Sequence, residues 1–350
     1  LNCYMPNASG DGMEHRNSTI VTNSKDLDEP LANTSIGTIS HEFVHAWNVE
    51  RIRPASLEPF DFEEANMSGE LWFAEGFTSY YTGLILARAG INEDEEYIEG
   101  LDRGLNYVIN NPARQFSNPI EMSYQAPFVD AATSVDPQNK DNTFISYYTY
   151  GSVLGLALDL SLRSLDDGKN LDDFMKMMWQ KFGKTEVPYS VRDIQATLSE
   201  YVNDSFAIQF FDNFIFDSKV PDYQKLLANV GVNLTKANPG KASLGTDIEI
   251  EEGVGSLESN AIMGSPIYDV GIESEDEITA IAGTKLSDVE SVDEILDNYK
   301  PGDEVTITFS RWGEEKTVNV TLTEDPSLKT ELNSKADKKK KDRRSAWLKN

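Results

Sequence analysis

The sequence of 350 residues is poor in cysteine, in basic side chains and in long apolar runs. Its single cysteine, Cys3, excludes an intrachain disulfide and any zinc site built from several thiolates. Basic residues number 31 against 59 acidic ones, and the net charge of −28 makes nucleic acids and anionic membranes poor partners. No run approaches the roughly 18 apolar residues of a membrane-spanning helix.

Hydrophobic residues make up 39% of the chain, which excludes a wholly disordered protein. At a typical ~150 residues per domain, the length predicts two domains and a tail. The chain opens without a methionine and in the middle of a β-like pattern, which favours a partial or processed form that lacks upstream sequence. Residues 1–30 are therefore expected to be the remnant of an upstream β-region, with a strand that lies along the substrate.

The pattern of the remaining chain changes twice. Residues 31–225 are mostly helical by their apolar spacing, and residues 226–325 have short alternating strands at 246–251, 277–281, 305–311 and 315–321, with a helix at 292–299. Residues 326–350 form a basic tail, in which 335–350 hold eight basic and two acidic side chains. We expect this tail to be solvated and poorly ordered; docking to an acidic partner is the alternative.

Two of the three histidines lie four residues apart, in His41-Glu42-Phe43-Val44-His45. On a helix these two positions share one face, so both imidazoles can reach one metal ion. Glu42 projects beside them, where a carboxylate can take a proton from the water that a metal activates. The pattern predicts a catalytic metal site, and the alternative is a helix with two unrelated surface histidines.

A catalytic zinc needs a third protein ligand, and Glu75 is the best candidate. It lies in an apolar and aromatic stretch, where an unneutralised carboxylate is costly to bury. The alternative is a Glu75 at the exposed edge of a core helix. Glu63, Glu64 and Glu70 are rival ligands, but they lie in a polar stretch that we expect to be solvated.

These blocks resemble the gluzincin metallopeptidases, which bind zinc through HExxH and a Glu in an EGF-like motif. Segments 41–48, 51–54, 59–61 and 71–81 resemble more closely the PDZ-domain-containing glycyl aminopeptidases, family sixty-one. The resemblance implies a multidomain α+β fold, with a thermolysin-like, mainly α catalytic domain followed by a small β-rich PDZ domain. It also implies one Zn²⁺ per chain on His41, His45 and Glu75, with Glu42 as the general base.

Gly12-Met13-Glu14 resembles the GxMEN strand of gluzincin aminopeptidases, in which the Glu binds the free α-amino group of the substrate. The resemblance therefore implies substrate binding at Gly12, Met13 and Glu14. His15 departs from the Asn of that motif, although the glycyl aminopeptidases are similar there. The alternative is an ordinary strand without a role in binding.

Residues 147–151, with the sequence YYTYG, resemble the segment whose tyrosine stabilises the oxyanion in aminopeptidases of this fold. The match gives this role to Tyr148, since a phenol can donate a hydrogen bond to a developing oxyanion. Tyr150 departs from the Lys that often precedes the glycine. Tyr147 is the rival, and a buried aromatic cluster without a catalytic role is the alternative.

Segments 264–272 and 276–283 resemble the GSPAxxAGL turn and the following strand of bacterial PDZ domains, which bind extended peptides at a sheet edge. Ser274 and Glu275 occupy the positions before Asp276 at which these PDZ domains often have a glycine. The sequence leaves open whether the groove binds a peptide or is only structural.

The resemblance implies a zinc aminopeptidase that removes small N-terminal residues, Gly or Ala, from peptides with a free N-terminus. Two alternatives stay open: a PDZ peptide-binding scaffold with a silent zinc site, and a zinc endopeptidase in which Glu14 binds no amine. No nucleic acid partner or membrane span is expected. The resemblance favours the periplasm or cell envelope, with the cytoplasm as the alternative.

Overall fold

The computed structural model describes residues 2–4, 7, 10–24, 35–129 and 136–349. The chain begins with a three-stranded sheet in the order β1-β3-β2, whose strands are β1 (Asn2–Tyr4), β2 (Asp11–His15) and β3 (Ser18–Asn23). β3 is parallel to β1 and antiparallel to β2. Residues 25–30 of the expected N-terminal β remnant lie outside the described residues.

A helical region follows this small sheet. Its helices are α1 (Ile36–His45), α2 (Leu71–Arg88), α3 (Asp94–Glu99), α4 (Leu101–Ile109), α5 (Pro119–Tyr124), α6 (Ala126–Val129), α7 (Lys140–Thr143), α8 (Tyr147–Arg163), α9 (Leu171–Met178), α10 (Val191–Tyr201), α11 (Asp204–Phe214) and α12 (Tyr223–Ala228). Local signals fix several helix ends: Ser190 and Asp193, for example, cap each other's backbone at the start of α10.

Helices α2 and α8 form the centre of this region and approach each other through glycine. A Cβ at Gly151 would lie 1.9 Å from the Trp72 carbonyl oxygen, and a Cβ at Gly76 would lie 2.3 Å from the Gly151 Cα. Gly155 meets Tyr80 one turn further on, so the two helices run in the same direction. Apolar side chains, including the fully buried Phe73, surround this contact and bury the centre of α2.

The C-terminal region has its own hydrophobic core and a sheet in the order β11-β10-β8-β7-β6. Its elements are β5 (Ala242–Ser243), β6 (Ile248–Glu251), β7 (Val254–Leu257), α13 (Pro266–Asp269), β8 (Glu277–Ile281), β9 (Thr284–Lys285), α14 (Asp293–Leu296), β10 (Glu304–Arg311), β11 (Glu314–Thr321) and β12 (Thr323–Glu324). The strands lie near their predicted positions, whereas the helix predicted at 292–299 is shorter, because a turn precedes Pro301.

Two further elements join the ends of the β-rich region to the helical core. β4 (Val232–Lys236) pairs with β13 (Leu328–Leu332), and Val232 and Leu234 belong to the core of the helical region. The link between the two regions is polar as well: the Asn142 side chain donates to Ala261 O and accepts from Met263 N.

The basic tail differs from the expectation of a poorly ordered segment. Residues Lys338–Leu348 form helix α15, and Trp347 and Leu348 are fully buried in the helical core. Trp347 Nε1 donates to the Tyr80 hydroxyl at 2.9 Å, and Arg88 Nε donates to Trp347 O at 3.0 Å. The tail therefore docks on this chain's own helices, because burial of Trp347 and Leu348 stabilises the contact although the rest of the segment is highly charged.

Within the described residues, none of the helices combines the length and the apolar character that crossing a bilayer demands.

Candidate active site

Helices α1 and α2 bring three predicted site residues together. His41 and His45 lie one turn apart on α1, and Glu75 lies on the facing side of α2. The two Nε2 atoms are 3.0 Å apart, and Glu75 Oε2 is 3.3 Å from His41 Nε2 and 3.2 Å from His45 Nε2. The predicted i, i+4 geometry thus holds, and the carboxylate predicted on the next helix meets it.

Hydrogen bonds at the other ring nitrogens determine the histidine tautomers. His45 Nδ1 lies 2.7 Å from the Asn48 carbonyl oxygen, which can only accept, so Nδ1 carries the proton. The Thr82 hydroxyl donates to Thr78 O and therefore accepts from His41 Nδ1, at 3.3 Å. Both Nε2 atoms are directed at Glu75, and with the proton of each neutral ring on Nδ1, Nε2 is the atom that can bind a metal.

The arrangement fits a metal ion. Three acceptor atoms lie 3.0–3.3 Å from one another, and such atoms repel unless a proton or a cation lies among them. Ligand bonds of about 2 Å in a tetrahedral site separate the ligand atoms by about 3.3 Å, which is close to these distances. Two imidazoles and one carboxylate are the donors of many catalytic zinc sites.

The pKa values of His45 and Glu75 also favour a cation at this site. Burial alone would lower the pKa of His45, but the hydrogen bond with Glu75 and the charge of that carboxylate raise it to about 9. Burial would raise the pKa of Glu75, yet the hydrogen bonds from His41 and His45 lower it to about 2. The cluster therefore holds positive charge strongly, as a cation site requires.

Glu42 lies under strand β2, and a glycine makes room for it. A Cβ at Gly12 would be 2.3 Å from Glu42 Oε1, so no other residue fits there without moving that carboxylate. Burial raises the pKa of Glu42 above its usual range, against the charges of His41 and His45. A carboxylate with a raised pKa suits a base that must later return its proton.

Glu14 lies close to the general-base candidate. Carboxylate oxygens of Glu14 and Glu42 and a ring nitrogen of His45 lie within 4.8 Å of one another. Glu14 is half-buried, whereas its neighbour Met13 is exposed. The strand β2 thus presents one carboxylate at the metal-site cluster, where it can pair with a cationic group.

Tyr148 is half-buried beside the cluster, with its ring centroid 6.0 Å from that of His41. It stacks on Tyr147 at 4.9 Å between ring centroids, and the rival Tyr147 is itself buried. The geometry thus favours Tyr148 over Tyr147 as the phenol that faces the site.

The rival acidic residues lie elsewhere. Glu63 and Glu64 are exposed, as expected. Glu70 departs from the expectation of a solvated residue: it is buried and accepts hydrogen bonds from Ser56 at 2.7 Å and Ser68 at 3.1 Å. Two hydroxyl donors satisfy this carboxylate, so its role is structural.

Sequence reasoning missed the role of Asn48. The buried side chain donates through Nδ2 to Phe73 O at 3.0 Å and Ala74 O at 3.1 Å, directly before Glu75. The backbone carbonyl of the same residue accepts from His45 Nδ1 and orients that ring. The only signal in the sequence is its position three residues after His45, where a helix ending leaves backbone groups to be satisfied.

Two family models match parts of this chain. Residues 34–154 match the model of the M61 glycyl aminopeptidase family, and residues 242–322 match that of the PDZ domain. The predicted family and fold class are thereby confirmed.

Solved structures add to the fold assignment of the M61 region. A crystal structure of an aminopeptidase N family protein from Idiomarina loihiensis has 26% sequence identity and a TM-score of 0.85, over 100% of this chain and 62% of that one. The chain thus spans less than two thirds of that protein. A serine endoprotease from Yersinia pestis, with 22% identity and a TM-score of 0.20, is similar over 24% of this chain and 29% of its own, too slightly to carry an argument. No curated protein matches the chain in sequence.

The PDZ domain has a groove of about 460 Å³ beside the edge strand β6. Ser243, Leu244 and Gly245 form one end, and Val292 and Leu296 of the α14 segment form a wall. Among the described residues β6 is the outermost strand of this sheet, and an extended peptide can add to a sheet at such an edge.

Proposed function

We propose that this chain is the catalytic and PDZ part of a zinc aminopeptidase that removes N-terminal Gly or Ala from peptides. The observation that carries the proposal is the convergence of His41, His45 and Glu75 at 3.0–3.3 Å, with Glu42 and Glu14 at its edge. The preference for Gly or Ala is supported only by the match to glycyl aminopeptidases.

His41, His45 and Glu75 would hold the zinc ion, which when bound supplies a Lewis acid and a water of lowered pKa. Glu42 takes the proton of the attacking water and delivers it to the leaving amine, a role that fits its raised pKa. Gly12 leaves the space that the Glu42 carboxylate occupies, because a Cβ at this position would lie 2.3 Å from Glu42 Oε1.

Two further side chains position the peptide and its developing charge. Glu14 pairs with the N-terminal ammonium, which limits cleavage to the first residue. Tyr148 donates its phenolic hydrogen to the oxyanion that forms at the attacked carbonyl. Because Glu14 lies within 4.8 Å of Glu42, the ammonium is held one residue from the bond to be cut.

The first experiment measures metal content and turnover together. Elemental analysis of zinc-loaded protein should give one zinc per chain, lost in Glu75→Ala and kept in Glu42→Gln and in the matched surface variant Glu64→Gln. Glycyl and alanyl reporter substrates should be cut by the wild type and Glu64→Gln only, and a chelator should stop the reaction. A Glu42→Gln protein with full turnover and normal zinc would refute the mechanism.

Blocking the substrate's amino group distinguishes the endopeptidase alternative. N-acetylated peptides should be poor substrates, because Glu14 then has no ammonium to pair with. Equal rates on blocked and free peptides, unchanged in Glu14→Ala, would make the chain an endopeptidase.

The PDZ groove supports a second function, the binding of an extended peptide. In the part of the chain that the structure describes, β6 ends its sheet, and a carboxyl-terminal peptide library would test peptide binding there directly. Peptide binding without any chelator-sensitive turnover would favour the scaffold alternative.

A further inference from the structure

A cleft of about 920 Å³ lies between α2, α8 and the α3–α4 pair. Its floor is apolar and includes Val153 and Leu156 of α8. Its sides carry small residues, among them Gly83, Gly104 and Ser152. Because these side chains are short, the space above the two parallel helices stays open.

The cleft lies next to the active-site residues on both helices. Ser79 is one turn beyond Glu75 on α2, and Ser152 is one turn beyond Tyr148 on α8. At 1.5 Å per helical residue, Ser79 and Gly83 lie about 6 and about 12 Å past Glu75 along the axis. An extended peptide advances about 3.3 Å per residue, so this distance corresponds to roughly two to four residues.

The direction of the cleft determines which part of a peptide it can take. The N-terminal residue is held at Glu14 on strand β2, on the α1 side of the site, whereas the cleft leads away along α2 and α8. A peptide that is cut after its first residue therefore extends its remaining residues towards the cleft.

One cation lies in the wall of the cleft. Arg103, near the start of α4, is exposed, and within the described part of the chain it makes no ion pair. Of the described residues that line the cleft, Glu96 is the one acidic side chain. In a protein of net charge −28, an unpaired guanidinium in a peptide-sized cleft is suited to an anionic group.

We propose that this cleft receives the part of the peptide that follows the cleaved bond, and that Arg103 pairs with its C-terminal carboxylate. The preferred substrates are then short peptides with a free carboxyl terminus, of roughly three to five residues. The inference rests on the proposed aminopeptidase function and adds to it a specificity residue outside the metal site.

Binding to zinc-loaded Glu42→Gln protein tests the inference without turnover. The probes are the tripeptide Gly-Ala-Phe and its C-terminal amide, titrated by calorimetry. Arg103→Gln should weaken binding of the free acid by about three- to fivefold, as for a partly exposed ion pair, and leave the amide nearly unchanged. Arg192→Gln, the same charge change on the exposed face of α10, should affect neither peptide.

A second variant fills the cleft. Ser152→Leu should weaken the binding of the acid and the amide alike, with unchanged zinc content and helical circular dichroism. The inference would be overturned if Arg103→Gln, made in the Glu42→Gln protein, bound the free acid as tightly as Glu42→Gln alone. It would also be overturned if Glu42→Gln bound neither peptide. If the Glu42→Gln protein hydrolyses the peptide, product will appear during the same titration. That result would contradict the proposed mechanism and not the inference about the cleft.

Discussion

Asn48 shows how one buried side chain connects the two helices of the metal-site cluster. Asn48 provides no ligand atom, yet its side-chain amide holds the backbone just before Glu75 and its backbone carbonyl holds the ring of His45. The Thr78 hydroxyl, bonded to Ala74 O at 2.7 Å, closes the same network. The spacing between His45 and Glu75 therefore depends on this residue.

Alanine at position 48 keeps the backbone carbonyl that holds His45 but removes the amide bonds to Phe73 O and Ala74 O, directly before Glu75. Asn48→Ala should therefore weaken zinc binding by about 10-fold, the lower end of the effect typical for residues that orient metal ligands. The chelator concentration that removes half of the zinc measures this change. Asn110→Ala, an exposed amide on the same region, serves as the control. Zinc affinity unchanged in Asn48→Ala would show that the two helices keep their separation without it.

The raised pKa of His45 predicts a pH dependence of metal binding. At pH 7 this pKa of about 9 keeps the ring protonated when no cation is bound, so a metal must displace a proton. Zinc affinity should therefore rise from pH 6 to about 9, with release of about one proton at pH 7. Calorimetry in buffers of different ionisation enthalpy measures the release, and none at pH 7 would contradict the assignment.

At the scale of elements, the contact between α2 and α8 carries both Glu75 and the Tyr148 side chain. Gly76 and Gly151 allow this contact, because any Cβ there would meet backbone atoms at 1.9–2.9 Å. Backbone atoms cannot move aside as a flexible side chain can. The two glycines therefore fix the distance between the metal-site cluster and the phenol.

Gly151→Ala should lower the free energy of unfolding by about 3 kcal/mol or more, through overpacking. It should also reduce turnover, since α8 must shift with Tyr148. Gly37→Ala is the matched control: it lies in α1 with nothing within 4 Å of the added Cβ, and should be neutral or stabilising by about 0.5–1 kcal/mol. Urea unfolding measures both, and equal effects would refute the packing argument.

At the scale of the whole molecule, the C-terminal helix closes the helical core. Arg163 donates to the buried Asp159 and to the backbone of α15 at Ala346, while Arg88 pairs with Asp172 and donates to Trp347 O. Four charged residues on three helices thus hold the end of the chain. The PDZ domain lies between two segments of one core.

Trp347→Ala should destabilise the helical region by about 3–5 kcal/mol, because it empties a fully buried site and removes a donor to Tyr80. Trp312→Ala, in which the indole is 91% exposed, should change stability by less than about 0.5 kcal/mol. Urea unfolding followed by far-ultraviolet circular dichroism measures both. Similar midpoints for the two variants would mean that α15 does not contribute to the core.

The sequence by itself determined the features that depend on local geometry. The i, i+4 spacing places His41 and His45 on one face wherever that helix lies, and strands such as Glu277–Ile281 follow from alternation. Only the tertiary structure decided which carboxylate meets these histidines, that Glu70 is buried, that Asn48 joins two helices and that the basic tail docks. These contacts join residues 14 to 267 positions apart, and periodicity reports only on neighbours within a few turns.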